Sequence, residues 1–179
     1  MNGPRTPILL AALAGTIVLL AIGVLVAQAT KAPRSGMFPD TLGDMKLASY
    51  VDGPAAVGEV MTLHGNAASV RIDNAYLARY GGAGGDRARF WVSDSATATE
   101  ATALLEAMRA KVGGAGVFSQ PSALTVEGTT VYFVTGPPDI GLYNYFYARG
   151  RSVYWVQIDG ADEARRVSIL AEAVKRVTR

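Results

Sequence analysis

Apolar positions follow three different regimes along the chain. Ile8 to Ala27, reading ILLAALAGTIVLLAIGVLVA, is continuous and carries no charged or strongly polar side chain. In hydrocarbon only a helix satisfies its own backbone polar groups, and at ~1.5 Å rise per residue such a run spans about 30 Å, the apolar thickness of a bilayer. The run predicts a transmembrane helix over residues 8-28, preceded by a short head, residues 1-7. Thr30 to Pro39, TKAPRSGMFP, then breaks every periodicity with two prolines and a glycine, so residues 29-39 read as a short extended spacer. Beyond it, periods of 2 and 3.6 alternate, as in one folded domain over residues 40-179.

Within that domain, Lys46 to Val51 reads as a strand and Pro54 to His64 as a short helix, with proline in its first turn, Val57, Val60 and Met61 on one side and Gly65 as its stop. Ser69 to Tyr80 alternates, placing Tyr76, Ala78 and Tyr80 on one face and Arg71, Asp73 and Arg79 on the other, a strand with one wet side. Gly81 to Asp86 turns it into a second strand, Arg87 to Ser93, where Arg87, Arg89 and Trp91 share a face. Thr97 and Glu100 form a capping box for a helix whose stripe is Ala101, Leu104, Leu105, Met108 and Val112. Strands follow at 123–127, 130–135, 142–149 and 152–158. Gly150-Arg151 suits a two-residue type II′ turn that pairs Tyr147 with Tyr154, Phe146 with Trp155 and Tyr145 with Val156. A last helix begins near Ala161, with Val167, Leu170, Ala171, Val174 and Val177 on its apolar side. The fold class expected is α+β: an N-terminal single transmembrane helix followed by an antiparallel β-sheet packed against about three helices.

Ala27-Gln28-Ala29 has the small-x-small form of a signal-peptidase site, but the apolar run exceeds the ~7–15 residues of a signal core, so retention as a signal anchor is expected. A short head before an apolar helix puts the N-terminus inside and the domain on the extracytoplasmic, periplasmic side of a cell membrane.

Net charge is +2, yet Arg5, Lys31 and Arg34 are the only charges before Asp40. Setting those three aside leaves 14 basic against 15 acidic residues, so the domain is near neutral and lacks the net positive field of a nucleic-acid binder. Lys31 and Arg34 follow the apolar run, where each is worth roughly 1 kcal/mol against anionic headgroups.

Catalytic constellations are hard to build from this composition. There is no cysteine and His64 is the sole histidine, so thiol chemistry and multi-histidine metal sites are excluded. His64 sits where a helix ends, a favourable position for a capping imidazole. The glycine clusters at 81–85 and 113–116 match neither phosphate-binding pattern. Asp52, Asp94, Glu100, Asp159 and Asp162 fall at turns and helix starts, where capping explains them. No catalytic, cofactor-binding or metal-binding residue is therefore expected, and the chain does not read as an enzyme.

What stands out is aromatic density between Tyr132 and Trp155, which leaves both faces of the last hairpin partly apolar. One face must meet something else, and Tyr and Trp are enriched at interface centres. Arg87, Arg89, Trp91, Tyr145, Tyr147 and Trp155 are accordingly the expected interaction residues. The function this favours is a membrane-anchored, non-catalytic interaction domain, an accessory subunit or assembly factor of a larger membrane protein complex, with the lipid bilayer engaged through residues 8-28. The alternative is a membrane-tethered binding domain for a small apolar or amphipathic ligand such as a lipid or pigment.

Overall fold

The computed structural model describes residues 36–64, 71–114 and 116–178. The expected membrane helix, residues 8-28, lies outside the described residues, together with the head and most of the spacer. Among the described residues no helix is long and apolar enough to cross a membrane.

The domain is α+β. Its elements run β1 (Thr41–Leu42), β2 (Met45–Asp52), α1 (Gly53–Leu63), β3 (Asn74–Gly81), β4 (Arg87–Asp94), α2 (Ala98–Gly114), β5 (Ser122–Val126), β6 (Thr129–Thr135), β7 (Tyr143–Arg149), β8 (Ser152–Asp159) and α3 (Glu163–Arg176). The strands form one eight-stranded sheet, ordered β1-β2-β3-β4-β8-β7-β6-β5, with every pairing antiparallel. Two four-stranded halves thus meet where β4 pairs β8, a contact between segments far apart in sequence. The type II′ expectation for the last hairpin agrees with Gly150, whose φ is +57°, and the register joins Tyr147 to Tyr154 and Phe146 to Trp155.

One face wraps α3. This helix touches both edge strands, β1 and β5, so the sheet curves around it. A bulge between Leu47 and Ser49 in β2 contributes the bending that such curvature requires. Cross-strand rows of apolar residues line this inner face: Tyr76, Val92, Tyr154 and Tyr147 form one, and Ala78, Phe90, Val156 and Tyr145 the next. Against them α3 sets Ile169, Leu170, Ala173 and Val174. Tyr147 and Tyr154 stack with centroids 4.7 Å apart. Each full-sized apolar side chain buried here stabilises the fold by about 1.5–3 kcal/mol, so this layer dominates its energetics.

Three details differ from the periodicity reading. The buried side of α3 comprises Ile169, Leu170, Ala173, Val174 and Val177 with Arg166, while Val167 is 51% exposed. The helix is rotated because Arg166 turns inward: its guanidinium lies 3.5 Å from the Tyr143 ring centroid and its Nη1 donates to the carbonyl of Ala161 at 2.6 Å. Met37 and Phe38, placed in the spacer by sequence, are core residues; Phe38 packs edge-on against Phe90 at 5.6 Å, and the Tyr80 hydroxyl donates to the carbonyl of Pro39. The strand before the glycine loop is not wet along its length, since α1 covers Ala75 and Leu77.

The outer face carries the other two helices. Ala56 and Val60 of α1 pack on Ala75 and Leu77, with Trp91 at the margin. Ala101 and Leu105 of α2 pack on Val134, Phe146 and Val153. The capping box of α2 forms with a variation: Thr97 Oγ1 accepts from the amide of Glu100, and Glu100 reaches back to the amide of Ala96 rather than to that of Thr97.

Candidate functional site

The helices leave part of the outer face open. α1 covers the β3–β4 pair only where Ala75, Leu77 and Trp91 lie, and α2 lies over β7 and β8. On the remainder of β2, β3 and β4 on this side, four charged residues gather in a strip around Ser49 and Gly81.

Register fixes its layout. Arg79 of β3 stands directly opposite Arg89 of β4, and Gly81 opposite Arg87. Past the β2 bulge, Lys46 pairs with Gly81 and so falls on the same side. Adjacent strands lie about 4.8 Å apart and residues two apart on a strand about 6.7 Å, so four cations occupy a patch roughly 10 Å across. Lys46, Arg79 and Arg87 are exposed and Arg89 is half-buried. Among the described residues none of the four makes an ion pair or side-chain hydrogen bond. Asp159, the cross-strand neighbour of Arg87, is spent locally: one oxygen accepts from the amide of Leu142 at 3.2 Å and the other from the Gln157 amide group. Like charges held directly opposite across a ladder destabilise it by some tenths of a kcal/mol, so the sheet carries this arrangement at a cost to its stability.

Of the six residues expected to interact, the structure gathers four on the outer face. Arg87 and Arg89 belong to the strip. Trp91 ends it, half-buried against α1, with Nε1 donating to Glu59 Oε1 at 3.1 Å. Trp155 is opposite Trp91 in the register but lies under α2 territory, stacked on Phe146 at 5.1 Å, edge-on to Phe118 and donating to Asn144. Tyr145 and Tyr147 are on the other face, 4% and 0% exposed in the core that α3 closes. Burial pushes both phenols up from their ordinary pKa; for Tyr145 a hydrogen bond from Arg166 pulls the other way. Sequence reasoning missed Arg79 and Lys46. Arg79 was legible: it and Arg89 lie symmetrically about Gly84, the middle of the hairpin loop.

The remaining polar clusters serve structure. Asp94, fully buried at the end of β4, accepts from Ser152 Oγ at 2.6 Å, Tyr76 Oη at 3.2 Å and Arg151 Nη2 at 3.3 Å, which ties β3, β4 and the β7–β8 turn together. His64 caps α1, its Nδ1 donating to the carbonyl of Val60 at 2.9 Å. Among the described residues no group of three or more metal-ligating side chains converges. A cleft of about 320 Å³ beside the β7–β8 turn is lined by Arg149, Gly150, Arg151, Ser152 and Tyr154.

No protein-family model matches this sequence, and no curated protein or solved structure matches it significantly.

Proposed function

We propose that the chain is a non-catalytic interaction domain, tethered to a membrane by residues 8-28, which docks onto a larger membrane protein complex as an accessory subunit or assembly factor. The observation that supports this reading is the strip of Lys46, Arg79, Arg87 and Arg89, whose charges make no ion pair among the described residues. Four unpaired cations beside a half-buried tryptophan form the combination that interfaces use, with an aromatic anchor and Arg at the centre. The uncharged run of Ile8 to Ala27 supports the tether and an extracytoplasmic domain. The spacer keeps the domain near the bilayer, where the partner is embedded.

The test is native gel migration of detergent-solubilised membranes. The wild-type chain should run in a large assembly, and a variant with Arg79→Ser, Arg87→Ser and Arg89→Ser should run alone while melting no lower than the wild type. Persistence of the assembly in the variant would remove the strip from the docking surface.

The cleft beside Tyr154 favours a second reading, a tethered binding domain for a small amphipathic ligand, because a lining of one tyrosine and two arginines suits an apolar body with an anionic end. On that reading native mass spectrometry of the purified chain finds a bound lipid or pigment, and Tyr154→Ala releases it.

A further inference from the structure

The docking reading leaves the partner's chemistry open, and the strip narrows it. Resting on that reading, we infer that the strip receives a carboxylate-rich segment of a partner protein, laid across β3 and β4 between α1 and α2.

Charge is the first argument. Arg79, Arg87, Arg89 and Lys46 present four positive groups at separations of about 5–10 Å, close to the ~6.7 Å repeat of alternate side chains on an extended chain. Guanidinium pairs with carboxylate in a two-pronged geometry that ammonium cannot make, and three of the four cations are arginines.

Shape and surroundings choose a narrow anion over a broad one. α1 borders the strip at the Leu77–Trp91 row and α2 covers the neighbouring β7 and β8 on the same face, so Arg89, half-buried, is recessed beside helices about 10 Å thick. A flat bilayer surface meets those helices before it meets Arg89. Those helices also bear carboxylates: Glu59 is exposed on α1, beside Trp91, and Glu106 on α2 is occupied by Arg109. With a Debye length of ~8 Å at physiological salt, an acidic segment seated in the strip feels mainly its four cations and the one carboxylate beside them, that of Asp159 opposite Arg87, a local balance that is still positive. An extended polyanionic surface feels the whole domain, whose 15 acidic residues outnumber its 14 basic ones.

The experiment uses the full-length chain in phosphatidylcholine nanodiscs and titrates poly-L-glutamate by fluorescence anisotropy. Binding is expected, weakening at least tenfold between 50 and 300 mM salt and at least tenfold in the Arg79→Ser, Arg87→Ser, Arg89→Ser variant, with Lys111→Ser on α2 as an unaffected control. Glycerophosphoglycerol, a free phospholipid headgroup, and a 20-nucleotide oligothymidine are titrated alongside. Absence of poly-L-glutamate binding, equal binding by the triple variant, or strip-dependent binding of either phosphate probe in preference to the polypeptide overturns the inference. Its failure is separable from failure of the docking reading. If the triple variant loses the native assembly yet poly-L-glutamate never binds, the strip docks a partner of other chemistry; if the assembly persists, the docking surface itself is misplaced.

Discussion

The two faces of this sheet are built by opposite rules. On the inner face, the central rows across β3, β4, β8 and β7 are filled by apolar or aromatic side chains and closed by α3, and the end row of Asn74, Asp94, Ser152 and Arg149 is polar and hydrogen-bonded. On the outer face, α1 and α2 each cover a part and leave arginine opposite arginine in between. A single substitution therefore has different consequences depending on the face it strikes. Inner-face residues set stability, and on the docking proposal strip residues set binding at a small stability cost. Aromatic density, which first drew attention to the last hairpin, belongs to the first category; unpaired charge belongs to the second.

The largest expected break in this contrast is Phe90→Ala. Phe90 is 1% exposed and touches Phe38 and Tyr80 edge-on. Its truncation should cost about 3–5 kcal/mol of unfolding free energy in a denaturant titration, enough to leave the domain marginal.

Tyr147→Phe is next, and its sign is the informative part. The Tyr147 hydroxyl is buried with no hydrogen-bond partner among the described residues, so removing it should stabilise the domain by about 1 kcal/mol, read as a raised denaturation midpoint. Were this tyrosine a docking residue, the same change would weaken assembly and leave stability alone. Burial raises the Tyr147 and Tyr80 phenols well above their ordinary value of 10.0. Both stay protonated in the folded state while the unfolded chain ionises. Their contribution is therefore fully present below pH ~10 and declines as pH rises further, so alkaline unfolding should begin above pH ~10. In Tyr147→Phe that decline should be shallower.

The smallest effect on stability should come from Arg79→Glu, which sets a carboxylate opposite Arg89. A repulsive pair becomes an attractive one, and stability should rise by a few tenths of a kcal/mol in the same titration. Binding should fall at the same time. A gain in stability joined to a loss of docking is what separates a functional strip from an incidental one.

Sequence alone carried the local parts of this architecture. The Gly150-Arg151 turn fixed the β7–β8 register because a two-residue loop leaves no freedom of pairing. Thr97 and Glu100 located the start of α2, and its stripe followed from a period of 3.6. Non-local features escaped. Pairing of β4 with β8 joins strands separated by a helix and three other strands, and no turn residue encodes it. The face of α3 was misjudged because Arg166 occupies a core position, where a ring and a backbone carbonyl meet part of a guanidinium that periodicity counts as solvent-facing, its Nε being buried without a hydrogen bond among the described residues. Tyr145 and Tyr147 looked like interface residues for the same reason: the helix that covers them comes last in the chain. Lys46 joined the strip only through the bulge in β2, which shifts register by one residue.

On the docking proposal the open part of the outer face, and not the back of α3, touches a partner in the membrane. Gly81 lies between Lys46 and Arg87 with open space where a Cβ would project, and Val167 marks the exposed side of α3. A photoreactive benzoylphenylalanine introduced in place of Gly81 should, on illumination of native membranes, give a discrete adduct heavier than the chain. The same residue in place of Val167 should give none. An adduct from position 167 without one from position 81 would contradict the account.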